Sequence, residues 1–281
     1  MRGVRTVEKT IEGVETSDGA GVNLKRIIGS PELDYLDPFL LLDEFGSDNP
    51  DDYIAGFPPH PHRGFETVTY MLQGRFRHKD SAGNEGQLTS GSIQWMTAGR
   101  GVIHSEMPEQ VEGMVRGFQL WVNLPKKLKM TEPAYQDIPS EKIPQVNQDG
   151  VTVRVITGNH SGVSGPASAK TGMLYLDVHL EESAVFEQTI VDDWNSFLYI
   201  YGGSLLVADQ IEITRGHLAV LATEGDIRLT GGPTGGRSLL VAGEPLNEPI
   251  ARGGPFVMNT RGEVLQALED YQTGKFDKGI F

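Results

Sequence analysis

The chain contains no cysteine, which removes disulfides, thiolate metal ligands and cysteine nucleophiles at once. No run approaches the ~20 consecutive apolar residues of a membrane-spanning helix, and the opening M-R-G-V-R-T-V-E-K-T lacks the apolar stretch of a secretory leader. The expectation is a soluble cytoplasmic protein, in which the glycosylation-like triplet Asn159-His160-Ser161 has no consequence. Basic residues are scarce: 24 Lys and Arg face 38 Asp and Glu, a net charge of −14. A field of that sign repels phosphate backbones and anionic bilayers, so direct nucleic-acid and membrane binding are excluded. No G-x-S-x-G elbow occurs, which leaves a serine hydrolase without support. The run from Gly231 to Ser238 spaces like a phosphate loop, but Arg237 stands where Lys is required and L-L-V-A-G follows where a helix should begin. A turn between strands is the expected structure there.

What the chain does have is glycine (35 residues), proline (16) and many short apolar runs between them. That texture predicts an all-β, turn-rich protein, and 281 residues suffice for two domains with substantial cores. F-E-T-V-T-Y-M-L, 65–72, is β-branched and aromatic and reads as a central strand. Further strands are expected over 3–12, 22–29, 87–97, 101–106 and 116–124. Residues 125–150 are Pro-rich and charged, which suits a linker. A second β-rich region follows, with strands near 151–156, 173–180, 197–201, 205–207, 218–221 and 238–242. The division is therefore 1–130 for a first domain and 131–281 for the linker, a second β-domain and a closing helix. Thr260-Arg261-Gly262-Glu263 has the form of a capping box, with Val264, Leu265, Leu268 and Tyr271 at helical spacing and Gly274 as its stop. The helix is expected to dock by that apolar face.

Chemistry concentrates in two segments, G-F-P-P-H-P-H-R-G-F-E and T-A-G-R-G-V-I-H-S-E-M. His60 and His62 are spaced i, i+2, as are His104 and Glu106, so each pair shares one face of a strand. Two such strands side by side aim three imidazoles and a carboxylate at one point. Neutral imidazole and carboxylate suit divalent first-row metals. Four protein ligands on an octahedral ion leave two neighbouring positions for a substrate oxygen and dioxygen. Iron(II) is the favoured metal, with Mn, Ni, Cu, Co and Zn also compatible. Glu66, four residues past His62, falls on the same face if the strand runs without a bulge, so either Glu66 or Glu106 can supply the carboxylate. Phe57, Met71, Trp95, Met107, Gln119 and Trp121 are candidates for a pocket round the ion, with plain core packing as the alternative. Arg63 and Arg100 flank the motifs, either as anion binders or as partners of surface acids. His160, His179 and His217 are scattered and form no comparable set.

The H-x-H-x-x-x-E segment with a later histidine resembles the cupin motifs. D-P-F-L-L-L-D-E-F, H-P-H-R-G-F-E-T-V, I-Q-W-M-T-A-G-R-G-V-I-H-S-E-M, Q-L-W-V-N-L-P and G-P-F-V-M-N-T together resemble the pirin family, from residue 37 to residue 259. That resemblance implies a bicupin: two stacked jelly-roll β-barrels with a short C-terminal helix, the first barrel binding metal and the second metal-free. It implies His60, His62, His104 and Glu106 as the ligands, which favours Glu106 over Glu66. It also implies quercetin 2,3-dioxygenase activity, in which a metal-bound flavonol is opened by dioxygen with release of carbon monoxide, Glu106 or Glu66 acting as the base. A different class of function is an iron-binding regulator, a transcription cofactor that acts through protein partners. A sugar-phosphate isomerase would need a basic cluster at the barrel mouth, which is not found in the sequence.

Overall fold

A computed structural model describes residues 2–81, 83–110 and 112–275. In chain order the strands are β1 (Val7–Glu12), β2 (Val14–Asp18), β3 (Val22–Ile28), β4 (Phe39–Ser47), β5 (Phe57–His62), β6 (Phe65–Gln73), β7 (Phe76–Asp80), β8 (Glu85–Leu88), β9 (Ile93–Thr97), β10 (Val102–Pro108), β11 (Val115–Asn123) and β12 (Ala134–Ile138). There follow β13 (Gln145–Gln148), β14 (Val151–Thr157), β15 (Asn159–His160), β16 (Val163–Ser164), β17 (Met173–Leu180), β18 (Val185–Gln188), β19 (Asn195–Val207), β20 (Ile211–Thr214), β21 (His217–Leu221), β22 (Ile227–Gly243), β23 (Ala251–Gly253) and β24 (Phe256–Met258). Among the described residues one α-helix, α1 (Arg261–Gln272), closes the list, and no helix is long and apolar enough to cross a membrane. The all-β architecture expected from the turn-rich composition is what folds.

The chain divides into two compact units, and neither is a contiguous half of it. One comprises Val14–Gly29, Phe39–Ser140 and Leu246–Phe281; the other Met1–Gly13, Ser30–Pro38 and Glu141–Pro245. β12, β23, β24 and α1 all lie beyond residue 130 yet belong to the first of these, because β12 finds its hydrogen-bond partner in β9. The segment read as a linker is therefore structured. Its Lys129 is 1% exposed and donates to the Gly64 carbonyl (2.8 Å), Asn123 Oδ1 (2.6 Å) and the Val257 carbonyl (2.9 Å).

The first unit is built from a seven-stranded sheet, β12-β9-β6-β11-β4-β3-β2, and a four-stranded sheet, β5-β10-β7-β8. Leu24, Phe45 and Met71 from the larger sheet pack with Phe76 and Leu88 from the smaller one. Fully burying each such side chain contributes about 1.5–3 kcal/mol. β6, read from its β-branched and aromatic residues as a central strand, lies in the interior of its sheet between β9 and β11. The helix begins at the expected capping box, with Thr260 and Glu263 bonding each other's backbone N–H groups. Its docking differs from expectation. Ala267 is the residue buried, against Phe256, while Leu265 and Leu268 are 56% and 42% exposed. A small residue at the contact lets the helix approach closely; of the expected face, Val264, half-buried, and Tyr271, whose ring meets Phe256, take part in the docking, and Leu265 and Leu268 face outward.

The other unit is one nine-stranded sheet in which long strands β19 and β22 pair with each other along most of their length. Its core holds Val153, Leu176, Val178, Leu198 and Leu240. The Gly-rich run 231–236 is not a turn between strands. It is the bend of a single strand, β22, whose early residues pair with β18 and whose later residues pair with β17.

Candidate metal centre

β5 and β10 run antiparallel in the four-stranded sheet, with His60 directly opposite His104 and His62 opposite Val102. The i, i+2 spacing of each pair then turns all three imidazoles to one face. Their ring centroids are 4.4 Å (His60 to His104), 4.7 Å (His60 to His62) and 5.0 Å (His62 to His104) apart. One nitrogen from each lies within 4.8 Å of the others.

The turn between β5 and β6 sets this geometry. Arg63 and Gly64 carry the chain from one sheet into the other, and Gly64 sits at φ +91°, where a Cβ would meet the Val257 carbonyl oxygen at 2.0 Å. Arg63 is 5% exposed; it donates to the Arg100 carbonyl and pairs with Asp270 at 3.0 Å. Arg100 pairs with Glu132 at 2.7 Å. Both arginines thus hold the scaffold.

His62 and His104 are 3% and 1% exposed. Burial, reinforced by the neighbouring imidazoles, holds both well below the ordinary histidine range. Neutral imidazole is the form that ligates a metal. His60 is half-buried, and its Nδ1 stands 2.8 Å from the Pro58 carbonyl. A carbonyl only accepts, so that nitrogen carries the proton and Nε2 keeps its lone pair. Nδ1 of His62 and both ring nitrogens of His104 are buried without a hydrogen-bond partner in the protein. Orphaned nitrogens on two of three convergent rings are costly unless a cation completes them, and the donor set fits a divalent first-row metal.

Glu106 follows His104 on the same face of β10, is 4% exposed, and accepts from the Thr69 hydroxyl at 2.9 Å. Burial pushes its carboxyl up, against the pull of His60 and the Thr69 hydrogen bond. Glu66 lies elsewhere. The bend at Arg63-Gly64 breaks the strand phase, so Glu66 falls on the face of β6 opposite to Thr69, fully buried, accepting from Thr97 at 2.7 Å.

His60, His62 and Glu106 line a cavity of about 610 Å³, with His104 buried behind them. Of the pocket residues named from sequence, Phe57, Gln119 and Trp121 line it. Met71 is packed in the core cluster with Leu24 and Phe45. Trp95 is fully buried opposite Val68, on the far face of the sheet. Met107 is 36% exposed, its side chain turned away from Glu106's face. Sequence reading missed Arg26, Asp43, Thr69 and Arg252, which also line the cavity. The signal for Asp43 was available: an acid ending the apolar run F-L-L-L, now 4% exposed. Also missed was His78, buried directly across from Glu106 on β7, 3.4 Å from Asp137 and stacked on Tyr135. In the other unit, His160, His179 and His217 each join a separate local network, with Gln188, Asp177 and Thr214 respectively.

Comparison with known proteins agrees with this architecture. Residues 21–122 match the Pirin family model and residues 175–277 the Pirin C-terminal cupin domain. The chain is 50% identical over 277 residues to a pirin-like protein of Caulobacter vibrioides, covering 97% of this chain and 99% of that one. It is 44% identical over 280 residues to pirin of Homo sapiens, covering 98% and 95%. The crystal structure of a quercetin 2,3-dioxygenase from Acinetobacter baumannii superposes with a TM-score of 0.91 at 33% identity, over 98% of this chain and 99% of that one.

Proposed function

Because the chain belongs to the pirin family and has its two-domain cupin fold, we propose that it is a non-haem metal-dependent dioxygenase that opens flavonols such as quercetin, consuming dioxygen and releasing carbon monoxide. The observation that carries this reading is the convergence of His60, His62 and His104, the last two with unpartnered buried nitrogens, beside a partly aromatic cavity. Those three residues and Glu106 would hold the metal, with iron(II) as the resident ion. Bound there, the cation would supply Lewis acidity that lowers the pKa of a flavonol hydroxyl and so favours its reactive anion.

The protein's own groups do the rest. Glu106 is the base that takes the hydroxyl proton, and its raised pKa makes it a stronger acceptor than a solvated carboxylate. The Thr69 hydroxyl holds one carboxylate oxygen and so orients it. Phe57, Phe76 and Trp121 form apolar walls that receive the aromatic rings and exclude water. Half-buried His60 marks the side from which ligand enters.

Anaerobic loading with iron(II), followed by quercetin and air, tests the proposal. Loss of the flavonol absorbance with carbon monoxide in the headspace is the expected result. Quercetin left intact by fully loaded protein would refute it. If affinity for a protein partner then followed the oxidation state of the iron, the regulatory reading would take its place.

A further inference from the structure

One wall of the cavity carries a row of polar side chains of which the metal chemistry uses only Thr69. Across four adjacent strands of the seven-stranded sheet, Arg26 on β3 stands opposite Asp43 on β4, Asp43 opposite Gln119 on β11, and Gln119 opposite Thr69 on β6. All four line the cavity. Most positions two residues away on the same face are apolar, Leu24, Phe45 and Met71 on one side and Leu41 and Trp121 on the other, with Thr67 the polar exception.

The row is internally bonded. Arg26 donates from Nε and Nη2 to both Asp43 oxygens, at 2.9 and 2.7 Å, and from Nη2 to Asp18 at 2.8 Å. Thr69 Oγ1 lies 2.6 Å from Gln119 Oε1 and 2.9 Å from Glu106 Oε1. One hydroxyl proton cannot serve both acceptors. With Thr69 donating to Glu106, the Gln119 amide must turn its NH2 group toward Thr69, which leaves its carbonyl oxygen for a ligand. Beside the row, Arg252 holds its guanidinium carbon 5.2 Å from the centre of the Trp121 ring, in the same cavity wall. Buried Asp43 and Thr69 and half-buried Arg26 and Gln119 set polar groups into a largely apolar wall, where they are suited to meet a polar edge of a ligand. With strands about 4.8 Å apart, four strands carry it roughly 14 Å from Thr69 to Arg26, the reach of two linked aromatic ring systems.

We propose that this row reads the oxygenated edge of the substrate, so that Gln119 and the Asp43–Arg26 pair are specificity-determining residues. The substrate class is then a planar aromatic with one metal-binding hydroxyl and further hydroxyls at its remote ring. This inference rests on the dioxygenase reading for the ligand's anchoring at the metal. Its own content is the preference for remote hydroxyls.

Galangin differs from quercetin only in lacking the two hydroxyls of the remote ring, and the two can be titrated against the zinc-loaded, redox-inert protein by tryptophan fluorescence. Wild type should bind quercetin roughly tenfold more tightly or better, the worth of one or two satisfied hydrogen bonds. In Gln119→Leu and in Asp43→Asn the ratio of the two Kd values should fall toward one, with bound zinc measured beside each to show the metal site intact. Equal affinities in wild type, or a ratio unchanged in both variants, would overturn the proposal. The two readings separate cleanly. Turnover by the iron-loaded protein with no preference removes the specificity row alone. Preference without turnover removes the dioxygenase alone. Binding of neither flavonol removes both.

Discussion

His104 controls how the site responds to pH. Both its ring nitrogens are buried and unpartnered, and burial depresses its pKa well below 6.5, as it does for His62. In the unfolded chain both imidazoles return to the ordinary value. Below pH 6.5 the unfolded state therefore binds more protons than the metal-free native state, and stability falls with pH. Thermal midpoints of chelator-treated protein should drop between pH 6.5 and 5, and His104→Leu should show a shallower decline. Equal slopes in the two proteins would mean that His104 is not held neutral. Removing His62 or His104 should also weaken metal binding by more than about a hundredfold, beyond what the loss of a supporting partner costs, as read by competition with a chelator. The identity of these side chains was legible from their i, i+2 spacing. The choice between Glu106 and Glu66 was not, because it depends on a strand phase broken at Gly64, whose φ of +91° no periodicity reveals.

At the scale of elements, the β5–β6 turn is held in place by groups far from it in sequence. Lys129 bonds Gly64 and Val257 at once, so Lys129→Met would leave buried carbonyls without a donor. The expected loss is about 2–4 kcal/mol in denaturant unfolding, with reduced metal occupancy in the native protein. A variant of wild-type stability would show that the ammonium merely fills space. At α1 the cap is local. Thr260→Ala removes one half of the capping box and should cost about 1 kcal/mol, measurable in the same unfolding experiment and without effect on bound metal. The capping box could be read directly from T-R-G-E, since capping spans three residues. The docking face could not, because Leu265 and Ala267 are distinguished only by what each meets. The bend in β22 was likewise hidden: its glycines have turn composition, but the residues before and after them each pair with neighbouring strands, so the chain bends within one strand instead of ending it.

For the whole molecule, the consequence is that the unit carrying the three-histidine cluster is completed by a segment late in the chain. Arg252, Gly254 and Pro255 line the cavity, Val257 accepts from Lys129, and Asp270 pairs with Arg63. A chain ending at Pro245 should therefore lose metal binding although every proposed ligand is present, while residues of the other unit keep their β-sheet signature in hydrogen exchange. Full metal affinity in the truncated chain would contradict this. The 1–130 division did not foresee the arrangement, because composition locates a Pro-rich stretch without saying which sheet its strands will join.

The sequence by itself determined the all-β class, the exclusion of thiolate chemistry and the two in-phase pairs that bring three imidazoles together, since all of these follow from composition and from periodicities within a few residues. Only the tertiary structure decided which carboxylate faces the imidazoles, which polar residues share the cavity wall, and that the closing segment seals the site. Each of those depends on register between strands distant in the chain, and register is settled by packing and by hydrogen-bond pairing across the sheet rather than along it.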